Sequence, residues 1–106
     1  MAVDLKPPAA VAREAERGLK LREEHGRGGT EVGVARAEGL RDRRELSRED
    51  VVAMSSYFAR HEVDKQGQGW DDEESPSAGR IAWLLWGGDA GREWAETKKA
   101  ELDAEG

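Results

Sequence analysis

The chain has 106 residues, 38% of them charged, a net charge of −6 at neutral pH, four Trp and no Cys. This length supports one domain with a thin core, the lack of cysteine excludes disulfides and thiolate metal sites, and no apolar run reaches the ~18 residues of a membrane span. Residues 1–60 carry 12 Lys/Arg against 11 Asp/Glu and residues 61–106 carry 5 against 12, so the acidic second half opposes phosphate and only local basic patches suit nucleic acid.

Lys6-Pro7-Pro8 is a sound helix entry, because proline in the first turn loses no useful N–H. Val11, Ala12, Ala15 and Leu19 recur at helical spacing and predict a helix from about Pro8 to Glu24, closed by the glycines of His25-Gly26-Arg27-Gly28-Gly29. Thr30 to Arg44 is a second helical segment with Val32, Ala35 and Leu40 as its apolar side, weakened by Gly33 and Gly39; residues 30–35 also suit an extended strand. Ser47 is a cap with Glu49 and Asp50 in the first turn, and Val51, Met54, Phe58 and His61 mark one face of a helix over residues 48–62.

Residues 64–76 predict a loop, broken by Gly67 and Gly69, acidic at Asp71-Asp72-Glu73-Glu74 and closed by Pro76. Ser77 caps the next helix. Ile81, Ala82, Trp83, Leu84, Leu85 and Trp86 make it apolar all round, so it should be the most buried element, packed against Val11, Leu19, Val51, Met54 and Phe58. Gly87-Gly88 ends it, Asp89 is the expected cap of a final helix, and Trp94 is expected to fold back onto Trp83 or Trp86; the tail frays from about Asp103. The fold class is therefore mainly α, a compact bundle of four to five short helices. It forms a single domain over 1–106, ordered over about residues 6–100. Trp70, Trp83, Trp86 and Trp94 are core residues or, in the alternative, a partner-binding platform.

Three constellations carry possible chemistry. His61 and Asp64 sit at i,i+3 and, with Glu62, offer a general base or the start of a hydrolase site. Counting Asp64 as position 1 of a calcium loop places Gly69 at 6 and Asp72 at 9, but Ser75 stands where the bidentate glutamate belongs. No metal and no cofactor are expected, Asp64 and Asp72 being the residual metal candidates. The third is basic: Arg36, Arg41, Arg43, Arg44 and Arg48 precede or open the third helix, in the outline of a DNA-docking helix pair, with Lys20, Arg22 and Arg27 as a smaller patch. Interspersed Glu38, Asp42 and Glu45 favour an ion-paired face instead.

Arg17-Gly18-Leu19, Gly26-Arg27-Gly28-Gly29-Thr30, Gly33-Val34-Ala35-Arg36-Ala37, the run from Met54 through Tyr57-Phe58-Ala59-Arg60-His61 to Asp64, and Pro76 through Ala82-Trp83-Leu84-Leu85-Trp86-Gly87-Gly88-Asp89 occur in this order. Together they resemble a small domain encoded by tailed bacteriophages and prophages, alone or attached to larger phage polypeptides, over about Lys6 to Lys98. The resemblance implies phage origin and a compact domain, and carries no catalytic residue. The expected role is a non-enzymatic interaction module, a virion or assembly component with a protein partner. A nucleic-acid-binding accessory using the arginine patch is the alternative, and a small hydrolase or nuclease using His61 the second. The N-terminus MAVDLKPPAAVAREAERG has no apolar leader-like stretch, so a soluble protein of host cytoplasm or virion is expected, without a membrane partner.

Overall fold

The computed structural model describes residues 3–105. They form α1 Ala9–His25, α2 Glu31–Arg41, α3 Arg48–His61, a short 3-10 helix Glu62–Gln66, α4 Ala78–Leu85 and α5 Gly88–Ala104. No strand occurs among the described residues, and 30–35 belongs to α2 and its cap rather than to an extended segment. The architecture is a mainly α bundle with a Cα radius of gyration of 13.4 Å, close to the ~13 Å of a compact chain this long.

Local chemistry sets most helix ends. Ser47 Oγ accepts from the Asp50 amide at 3.1 Å while Asp50 Oδ2 accepts from the Ser47 amide at 3.0 Å, a complete capping box. Burial disfavours ionised Asp50, but the Ser47 amide and Arg36 outweigh this and hold its carboxyl below the usual range. Ser77 Oγ accepts from the Arg80 amide, as predicted, and Thr30 Oγ1 from the Gly33 amide. Gly26, at φ 65°, closes α1.

The last helix begins differently from expectation. Gly87 and Gly88 both hold positive φ, 116° and 65°, and reverse the chain so tightly that Gly88 already belongs to α5. Asp89 therefore falls inside the first turn instead of capping it. Its Oδ1 accepts from Trp83 Nε1 at 3.0 Å and from Lys65 Nζ at 3.1 Å, tying the 3-10 helix to α4. A Cβ on Gly88 would fall 2.9 Å from Glu14 Oε2, so α1 adds a second carboxylate to that of Asp89 at the positive end of α5. The helix continues to Ala104, beyond the expected fraying point.

Packing is organised around α1, which lies against α2, α4 and α5; α3 lies mainly along α5 and reaches α4 with Tyr57 and Phe58. Where α1 meets α4, Gly18 is buried against backbone: a Cβ there would stand 2.7 Å from Leu85 N. Trp83 fills the centre at 1% exposure, edge-on to Phe58 at 4.7 Å and to Trp70 at 5.6 Å. Ile81, Leu84 and Leu85 are buried beside it.

Of the apolar side expected for α2, Leu40 is buried but Val32 and Ala35 are not. Gly33, Ala37 and Leu40 face inward, whereas Val32 is 65% exposed and Ala35 is exposed. Small residues allow α2 to approach closely, with the Trp86 indole nitrogen lying 3.3 Å from where a Gly33 Cβ would be; valine has no room there. Gly39 has no such neighbour within 4 Å. Gly39→Ala is expected to raise stability by about 0.5–1 kcal/mol, the ordinary helix gain, read as a higher urea midpoint at unchanged slope.

Candidate functional site

Tyr57 and His61 are one turn apart on α3 and so share a face. Their rings stack at 4.4 Å, and Tyr57 stacks on Trp86, just past the end of α4, at 4.5 Å and 5°. The Arg36 guanidinium lies over Trp86 at 5.4 Å and pairs with Asp50 at 3.0 Å. The 3-10 turn after α3 carries Asp64 back to His61, with Nδ1 to Oδ2 at 3.0 Å. The contact fixes the orientation of the ring through its Nδ1 side.

Tyr57, His61, Asp64 and Trp86 line an open groove of about 420 Å³ between α3, the start of α2 and α4. Gly29, Thr30, Ala78, Gly79 and Ala82 give it a small-residue wall, and Arg60 stands on its rim. Tyr57 is 5% exposed, yet its hydroxyl has no hydrogen-bond partner among the described residues. Burial first, and the Asp64 charge second, push its pKa well up, so the phenol keeps its proton at any physiological pH.

The hydrolase set is divided by this arrangement. His61 and Asp64 come together, while Glu62 turns away to Arg92 at 2.8 Å and Lys65 at 3.8 Å. Asp72 is also elsewhere, its Oδ1 accepting from the amides of Glu74 and Ser75. Among the described residues no three His, Asp or Glu side chains gather as a metal cage.

The arginine patch is scattered by its partners. Arg36 is three-quarters or more enclosed in its pairing with Asp50. Arg41 and Arg44 both bind Asp42, at 3.1 and 3.2 Å. Arg43 donates to Pro7 O at 2.8 Å from a left-handed backbone position, φ 53°. Its amide bonds Leu40 O while the Arg44 amide bonds Gly39 O, the pattern that usually places glycine at Arg43. Arg48 donates to Leu102 O at 3.2 Å. In the smaller patch, Arg22 holds Gly28 O, Arg27 holds Ser75 Oγ and Pro76 O, and Lys20 pairs with Glu16.

The four tryptophans divide among three places, with Trp70 and Trp83 packed together. Trp83 and Trp70 are buried, and Arg80 lies over Trp70 at 5.4 Å. Trp86 is half-buried in the groove wall. Trp94 makes no ring pair with Trp83 or Trp86 among the described residues; its place on α5 turns it toward Pro8, Ala10 and Val11, where it lines a second, shallower depression. Tyr57 was not among the residues that sequence patterns single out. Its i,i+4 relation to His61 was the available signal, but its stacking on Trp86 joins residues 29 positions apart and needed the fold. Comparison with protein-family models, with curated proteins and with solved structures gave no match.

Proposed function

We propose that this chain is a non-enzymatic interaction module, a virion or assembly component of phage type, that binds a protein partner through the groove walled by Tyr57, His61 and Trp86. One observation carries the reading: a preformed aromatic wall beside Arg60, an exposed arginine with no ion pair among the described residues. Aromatic and arginine side chains at a recess are the usual energetic centres of protein interfaces. The wall is held rigid by its own stacking, so little side-chain freedom is lost on binding. The phage assignment rests on the sequence resemblance alone.

Nucleic-acid binding is favoured less, because the arginines it requires already hold carboxylates and backbone carbonyls. The oriented His61–Asp64 pair is the one feature that favours a hydrolase.

The test is quantitative capture from infected cells by wild type, Arg60→Glu and the triple variant Arg43→Ala, Arg44→Ala, Arg48→Ala. Arg60→Glu is expected to lose the partner while melting as wild type does, and the triple variant to retain it. Tryptophan-fluorescence titration with single- and double-stranded DNA at about 50 and 200 mM salt is expected to show no salt-sensitive binding. Salt-sensitive binding lost in the triple variant would overturn the protein-partner reading in favour of DNA. Turnover abolished by His61→Ala in a folded protein would overturn it in favour of an enzyme.

A further inference from the structure

The depression beside Trp94 lies between α5 and the N-terminal arm that leads into α1. It measures about 570 Å³ and shares no lining residue with the groove of Tyr57 and Trp86. Pro8, Val11 and Ala90 give it an apolar lining around the half-buried Trp94. Its two sides carry opposite charge. On the arm side stand Lys6 and Arg43, neither in an ion pair among the described residues, and Asp4, whose Oδ1 accepts from the Lys6 amide at 3.0 Å. Arg43 is fixed there through Nε, which donates to Pro7 O at 2.8 Å. On the α5 side Glu93 is exposed and makes no ion pair among the described residues, while Lys98 is balanced by Glu101 at 3.2 Å. The arm side is thus net positive and the α5 side net negative, and the two do not meet across the recess.

We propose that this depression docks a second copy of the chain in a two-fold contact. A two-fold axis running along the depression lays the arm of one copy over α5 of the other, so that Lys6 and Arg43 of each face Glu93 of the other. The complementarity is then used twice, because in such an interface residue i meets j and j meets i. A ligand of a single sign would instead meet like charge along one side. Trp94 sits between the two charged sides as the apolar anchor; tryptophan is among the residues that carry most interface energy, and such anchors tend to pair across the contact. The net charge of −6 does not forbid the approach, since exposed charges more than about 8 Å apart are largely screened at physiological salt. The dimer leaves the groove of Tyr57 and Trp86 open on both copies, and two linked grooves gain avidity for a target that repeats. The inference stands on a different face from the groove and does not depend on how the groove is read.

The experiment is sedimentation equilibrium of the full chain between about 1 and 500 μM, with Lys6→Glu and Glu93→Lys measured singly and as an equimolar mixture. Wild type is expected to pass reversibly from monomer to dimer across that range. Each single variant is expected to associate about tenfold more weakly or worse, since it sets like charges opposite each other in both halves of the contact. Both positions are exposed, so neither change should lower the melting temperature. The mixture is expected to recover the wild-type constant, because its heterodimer has the native pair in one half and the reversed pair in the other. Trp94→Ala is expected to weaken association at least tenfold. A wild type that stays monomeric, single variants that associate as wild type does, a mixture no tighter than its components, or full association in folded Trp94→Ala would each overturn the two-fold contact. A monomeric wild type whose capture of another protein is lost in Lys6→Glu would assign the face to that partner instead.

Discussion

Trp83→Ala is expected to lose about 3–5 kcal/mol of stability, the range for removing a large aromatic from a core. The indole is 1% exposed and packs edge-on against Phe58 and Trp70, with Tyr57 at 6.4 Å and Lys65 Nζ 4.7 Å above its ring. Those neighbours come from α3, the loop before α4 and the 3-10 helix, so the cavity would open where three segments meet and none can collapse into it alone. The change also leaves Asp89 with only Lys65, since Trp83 Nε1 is its other donor. Domains of this size have about 5–15 kcal/mol in hand, and each kcal/mol shifts the melting temperature by roughly 4–8 °C. The variant should therefore melt tens of degrees lower, or be largely unfolded at 37 °C. Trp83→Phe keeps part of the ring in place and should fall between the two. A melting temperature within a degree or two of wild type for Trp83→Ala would contradict this core.

Gly18→Ala is expected to destabilise by about 1–3 kcal/mol, although alanine is the better helix former. In an open helix the substitution would gain about 0.5–1 kcal/mol. Here the new methyl would stand 2.7 Å from Leu85 N and 2.9 Å from the Leu84 carbonyl carbon. Those are backbone atoms of α4, which cannot rotate aside as a flexible side chain would. The two helices must separate, and the close packing of Leu84 and Leu85 is lost along their whole contact. Because α4 also carries Ala82 and leads into Trp86, the groove should loosen with it, so weaker binding and lower stability are expected together. Urea unfolding of Gly18→Ala beside Gly39→Ala gives the comparison: same residue change, both in helices, opposite signs. A stabilised Gly18→Ala would mean that α1 and α4 do not cross this closely.

Much of the candidate site was legible as ingredients and not as an arrangement. The i,i+3 spacing of His61 and Asp64 is local, and the structure joins them. Glu62 has the same local credentials but points to Arg92 on α5, a choice made by a residue 30 positions away. The arginines read as one patch in sequence because five of them fall within residues 36–48; in the fold Arg41 and Arg44 share Asp42, while Arg36, Arg43 and Arg48 are held by Asp50, Pro7 and Leu102.

What the sequence determined by itself is the set of helices and their ends: the Ser47–Asp50 box, the Ser77 cap, the Gly26 stop and the burial of an element apolar on all sides. Those features depend on backbone hydrogen bonds and side chains within one turn of each other, so neighbouring residues suffice to specify them. Only the tertiary structure decided which side of α2 faces inward, why Asp89 holds Trp83 instead of capping α5, and that Tyr57 reaches a groove with its hydroxyl unpaired. Helical periodicity gives the angle between side chains but not the neighbour each one meets. That depends on how closely the elements approach, and here Gly18 lets α1 meet the α4 backbone while Gly33 and Gly88 make room for the side chains of Trp86 and Glu14.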